Sequence, residues 1–202
     1  MALVKPEIKE HSGDGSKWLG VCEMGIVSFT DRAPQYDWAD ILLDVDMEIK
    51  DSQYNRKLTI KGSFEKDTNG NVESSSVLNR LYHLFGIIGC TAGINIKGEW
   101  ETEDGEAIKD IAEYLNDNFT SSVIPETAAE HNYVGYVYKR QNPTTKKVYS
   151  EVYTRIWPNT NEGTAALESH IKWMKTQGYL KEYTETAPSE NNELSKSLSA
   201  SL

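Results

Sequence analysis

Only two cysteines, Cys22 and Cys90, occur in the 202 residues of this chain. They are too few and too far apart for a disulfide framework, so a reducing compartment is expected. Long hydrophobic runs are missing too. No apolar stretch approaches the ~20 residues a membrane helix needs, and the opening Met-Ala-Leu-Val-Lys-Pro-Glu lacks a secretory apolar region. The four histidines (His11, His83, His131, His170) are scattered, with no metal-ligand partner at useful spacing; His83, in a helical apolar context, reads as a partly buried core residue. Neither cysteine sits in a Cys-X-X-Cys or Cys–His arrangement. No phosphate-loop pattern and no Gly-X-Ser-X-Gly elbow occurs. Asp44, Asp46 and Glu48 form a carboxylate row that could hold a cation, but such alternation reads first as the wet face of a half-buried strand. A metal-dependent nuclease using Asp44 and Asp46 therefore ranks last. These absences predict a binding protein rather than an enzyme, with no cofactor and no metal.

The net charge of -10 counts at first against a nucleic-acid partner. Its distribution matters more than its sum. Residues 99–117 carry eight acids and one base, whereas 133–157 carry five bases (Lys139, Arg140, Lys146, Lys147, Arg155) and one acid, Glu151. A basic segment is thus embedded in an acidic protein.

Residues 1–17 are polar and rich in Gly and Ser, the composition of a loose arm. Residues 18–30 read as a first strand, with Gly20 and Gly25 suggesting a bulge. The cleanest alternation follows at 41–50: Leu43, Val45, Met47 and Ile49 face one way, Asp44, Asp46, Glu48 and Lys50 the other. A third strand at 57–65 turns Leu58, Ile60 and Phe64 inward. The period then changes: Val77, Leu78, Leu81, Leu84 and Phe85 predict a helix over 74–86, capped by serine and stopped by Gly86. A second helix is expected over 108–119. The third, 164–177, carries Leu167, Ile171 and Met174 on one stripe and ends at Gly178. Residues 86–107 resist assignment. The last stretch, 182–202, is Ser/Glu/Asn-rich and predicted to be disordered and dispensable for folding. A single domain over 18–181 results: three strands, a helical insert, two strands and a helix. That order matches a mainly β, five-stranded antiparallel barrel of the OB type, with a helical insert between strands three and four and a C-terminal helix.

Those last two strands form the most telling segment. Two β-rich runs flank Asn142-Pro143-Thr144-Thr145, so 133–157 reads as a hairpin. A turn centred on Pro143 and Thr144 places Tyr138 opposite Tyr149, and Val134 opposite Tyr153. One face then carries Tyr136, Tyr138, Arg140, Lys147, Tyr149, Tyr153, Arg155 and Trp157; the other carries Val137, Val148, Val152 and Ile156, which belong against the core. Rings interleaved with cations suit base stacking and phosphate neutralisation. The site is therefore expected at Tyr136, Tyr138, Tyr149, Tyr153 and Trp157 for stacking, and at Lys139, Arg140, Lys146, Lys147 and Arg155 for charge. The plainer alternative is an ordinary strand face or second core layer, since Tyr and Trp have high β-propensity.

Taken together, the paired strands at 41–50 and 58–64, the Leu78–Gly86 helix and the Tyr-Val-Gly-Tyr-Val hairpin ending in Tyr153-Thr154-Arg155-Ile156-Trp157-Pro158 resemble phage-encoded single-stranded DNA-binding proteins. The resemblance spans roughly residues 18–158. It implies an OB-like fold, sequence-tolerant binding of single-stranded DNA in phage replication or recombination, no catalysis, a homo-oligomer and a host-cytoplasmic setting. Such proteins commonly recruit replication or recombination enzymes through an acidic C-terminal tail. Here the tail departs from that form: its glutamates are spread out, Lys196 interrupts them, and the chain ends Ser-Ala-Ser-Leu. The alternative is a phage structural or scaffold protein that uses the aromatic hairpin as a protein–protein interface.

Overall fold

A computed structural model describes residues 18–120 and 131–184; the predicted N-terminal arm and nearly all of the predicted tail lie outside them. The chain is mainly β with three α-helices. Strand β1 spans Gly20–Asp31, β2 Ile41–Ile49 and β3 Arg56–Gly62; helix α1 spans Ser76–Ile88. A short hairpin, β4 (Gly93–Ile94) and β5 (Trp100–Glu101), fills the stretch that sequence left unassigned. Helix α2 (Ile111–Phe119), strands β6 (Tyr133–Gln141) and β7 (Val148–Pro158), and helix α3 (Asn161–Thr176) follow.

The main sheet is five-stranded and antiparallel, in the order β3-β2-β1-β6-β7. It curls until the edge strands β3 and β7 lie near each other, but no ladder joins them. The sheet is thus not closed into the expected OB-like barrel; a seam separates its two edges. Inside lie Met24, Ile26 and Phe29 of β1, Leu43, Val45, Met47 and Ile49 of β2, Leu58 and Ile60 of β3, and Val137, Val152 and Ile156 of the hairpin. Helix α1 closes the seam with Val77, Leu78, Leu81, Leu84 and Phe85. Its N-cap is Ser75, whose side chain accepts from Leu78 N–H. The helix runs past Gly86 to Gly89, which takes the left-handed conformation (φ 75°) that ends it.

Each unpaired edge is met by a neighbouring side chain or backbone group. Arg80 Nη2 donates to the Lys61 carbonyl on β3 at 2.9 Å. One turn along α1, His83 Nε2 bonds the Ile156 carbonyl on β7 at 2.9 Å; a carbonyl can only accept, so that nitrogen carries the proton. The stretch of β1 beyond its pairing with β6 is met by α2, whose Asn116 accepts from Phe29 N–H (2.8 Å) and donates to the Phe29 carbonyl (2.9 Å). Past α3, Tyr183 N–H donates to the Lys139 carbonyl at 2.8 Å, on the part of β6 that β1 does not reach. Unpaired edge groups cost free energy and invite strand addition, and these contacts satisfy the groups at these positions.

Three expectations need correction. Asp44 is not on a wet face: it is 1% exposed, accepting from Thr59 Oγ1 (2.6 Å) and Arg32 Nη1 (3.2 Å), with Lys57 Nζ at 3.4 Å. Burial alone would raise its pKa, but these partners outweigh it and hold the carboxylate below its usual range. Val148 is 40% exposed, because the hairpin tip projects past the start of β1 at Gly20, opposite Val137. The hairpin register is offset by two residues near its tip, where Tyr138 faces Glu151 and Arg140 faces Tyr149, and by four at its base, where Val134 faces Trp157. Even offsets preserve the faces while changing every partner.

Two glycines give opposite expectations. A Cβ on Gly163, in the first turn of α3, would collide with the Pro158 carbonyl oxygen. Gly86, in α1, has open space around its Cβ position. Gly163→Ala should therefore destabilise the fold by about 1–3 kcal/mol or more. Gly86→Ala should stabilise it by about 0.5–1 kcal/mol. Thermal denaturation of the two variants measures both.

Candidate nucleic-acid interface

Helix α3 begins at the N-cap Thr160, whose side chain accepts from Gly163 N–H, directly after β7 ends at Pro158. With so short a connection it folds back across the outer face of β6 and β7. Its stripe of Leu167, Ile171 and Met174 packs there with Val134, Tyr136, Tyr138, Tyr153 and Trp157, and with Leu180 beyond the helix. The aromatic face that sequence placed toward solvent is thus largely a second core layer. The stripe on α3 needed an apolar partner, and the hairpin rings were the partner within reach.

The predicted site residues consequently separate into three groups. Tyr136 and Tyr138 stack at 6.5 Å under α3. Lys175 Nζ lies 4.9 Å from the Tyr136 ring centre and donates to its hydroxyl at 2.7 Å. Tyr138 donates to Glu151 at 2.9 Å, and Arg140 pairs with the same carboxylate at 3.2 Å. Burial first, then Glu151, pushes the Tyr138 phenol far above its ordinary pKa. Lys139 belongs to the opposite face. The second group, Lys146, Lys147 and Tyr149, is exposed at the hairpin tip. There Lys146 adopts φ 59°, and the Asn142 side chain accepts from the amides of Thr144 and Thr145.

The third group, Tyr153, Arg155 and Trp157, is brought together with residues that sequence did not connect. Between the pairs Val137–Val152 and Gly135–Ile156, β7 advances four residues while β6 advances two. The resulting bulge lies at residues 153–155, and bulges re-aim side chains. The charge of Arg155 acts on Arg80 and His83 of α1 and on His170 of α3. Trp157 packs edge-on to His83 at 4.8 Å and against His170 at 5.4 Å. His170 Nε2 lies 2.9 Å from the Tyr153 hydroxyl. The row continues outward through Trp173 (6.0 Å from His170) and Tyr179 (5.7 Å from Trp173), which are 52% and 68% exposed. A ledge of rings and two guanidiniums therefore runs along the seam, from α1 across β7 to α3.

Among the described residues no carboxylate is paired with Arg80 or Arg155. Burial first, and Arg155 next, lower the pKa of Arg80. Burial first and Arg155 second also lower His170, while in His83 these two outweigh the bond to Ile156. Arg80, His83, His170 and Trp173 lie on two helices far apart in sequence, which is why hairpin periodicity could not reveal them. Among the described residues no group of three or more His, Cys, Asp or Glu side chains could hold a metal ion. No helix among them is long and apolar enough to cross a membrane. No protein family, curated protein or solved structure matches the chain.

His83 and His170 make stability pH-dependent with a definite sign. Their folded pKa values lie below 6.5, so as the pH falls the unfolded chain binds more protons than the folded one. The contribution is full above pH 6.5 and declines as the pH drops through and below it. Urea melts from pH 8 to 5 should show that decline, and His170→Gln should flatten it.

Proposed function

We propose that this protein binds single-stranded DNA with little sequence preference, the strand lying along the seam ledge and reaching the hairpin tip. The observation that carries the reading is the ledge itself. Exposed Trp173 and partly exposed Trp157 offer π-faces, which any base can stack on, and Arg80 and Arg155 have no carboxylate partner among the described residues. A five-stranded antiparallel sheet curled until its edges approach, with a helix after the third strand, supports an OB-like reading of the fold. Tyr136, Tyr138 and Tyr153 are assigned to packing in this proposal; Trp157, Arg155, Lys146, Lys147 and Tyr149 keep the roles expected of them.

Trp173→Ala should weaken binding to oligo-dT by about 1–3 kcal/mol. The fold should barely change, because that ring is more than half exposed. With about four cations engaged (Arg80, Lys146, Lys147, Arg155), the slope of log affinity against log salt should be near -3. Arg155→Gln should reduce its magnitude by about 0.7. Band shifts on oligo-dT at low and moderate salt measure all three. Absence of wild-type binding at low salt would favour the alternative in which Trp173 and Tyr179 anchor a protein partner.

A further inference from the structure

His83 and His170 both pack against Trp157, one from α1 and one from α3. Among the described residues, Arg155 of β7 acts on both rings and His83 acts on His170, while Arg155 in turn acts on Arg80 of α1 and Tyr153 of β7. All the charge in this set is positive, and no carboxylate of the described residues is among the groups acting on either imidazole. In the free protein that field, added to partial burial, keeps both rings neutral near pH 7. A phosphodiester resting on Arg80 and Arg155 would cancel the field that opposes their protonation.

We propose that His83 and His170 are proton-linked phosphate contacts: strand binding draws protons onto them, and the site tightens as the pH falls. This rests on the single-strand reading above and specifies how that site is regulated. The bonds already present permit it. A protonated imidazole has two N–H donors and no acceptor. His83 keeps Nε2–H on the Ile156 carbonyl and gains a donor at Nδ1. His170 Nε2–H then donates to the Tyr153 hydroxyl oxygen, 2.9 Å away, while its own Nδ1–H becomes a second donor. Neither ring gives up a contact to acquire its charge. By linkage, an anion that raises a histidine's proton affinity is itself bound more tightly when the proton is supplied. The effect has the opposite sign to that on the free fold, which acid weakens.

Oligo-dT is the suitable probe, because neither thymine nor a phosphodiester titrates between pH 5.5 and 8. At constant salt, affinity should rise about tenfold from pH 7.5 to 6.0. Calorimetry at pH 6.5 in two buffers of different ionisation enthalpy should report net proton uptake. His170→Gln should lose about half of that uptake and His83→Gln/His170→Gln nearly all of it, with far-ultraviolet circular dichroism confirming that each variant is folded. If the double variant proves unfolded, the His170→Gln result decides. Oligo-dT binding with no proton uptake, or with uptake unchanged in His170→Gln and the folded double variant, overturns the linkage and leaves the single-strand reading intact. Failure of the wild type to bind oligo-dT at any pH overturns both.

Discussion

A sheet that curls without pairing its edges has to satisfy those edges by other means, and in this protein α1 does so. Its apolar side enters the core of the curled sheet with Leu81 fully buried, and two polar residues three positions apart bond one carbonyl on each side of the gap. The helical repeat brings residues at that spacing onto one face, so a single turn can reach both edges. Everything at the seam follows from this wedge. The histidine that caps β7 is also the ring against which Trp157 packs, and the arginine that caps β3 is one of the two guanidiniums on the ledge. Structural and candidate binding roles are thus shared by the same side chains.

The second dependency is the return of α3. A short link from Pro158 to Thr160 leaves the helix little choice but to lie over the strand it has just left, and Gly163 permits the close approach. In doing so α3 divides the hairpin's aromatic face. Tyr136, Tyr138 and Tyr153 become packing, while Trp157 is left partly accessible beside rings contributed by the helix. The candidate site is therefore a rim at the boundary between a core layer and solvent.

Much of this was legible in the sequence and some was not. The alternation at 41–50 correctly identified Leu43, Val45, Met47 and Ile49 as interior, and the helical spacing after Val77 correctly located α1. Both are local patterns with strong periods. Asp44 misled because alternation says which way a residue points, not what else arrives on that side; Arg32, Lys57 and Thr59 come from other segments. The stripe on α3 was visible, yet its partner was not, since sequence gives a helix an apolar face without saying what covers it. Arg155 and Trp157 were singled out from the hairpin. Arg80, His83 and His170 could join them only through the bulge in β7 and the meeting of two helices.

The pairing of β1 with β6 carries a kinetic consequence. The hairpins β2–β3 and β6–β7 connect neighbouring segments, but Met24 meets Tyr133 across more than a hundred intervening positions. Contacts that enclose so long a loop form late, because their entropic cost precedes their reward. Both α1 and α2 lie within the enclosed stretch, so they can settle against the early hairpins while the ring is still open. The seam, where helix one, strand seven and helix three converge, exists only once the ring has shut. A nascent or partly refolded chain would thus carry nearly all of its secondary structure before the proposed site existed, and recovery of the proposed oligo-dT binding would trail recovery of helicity.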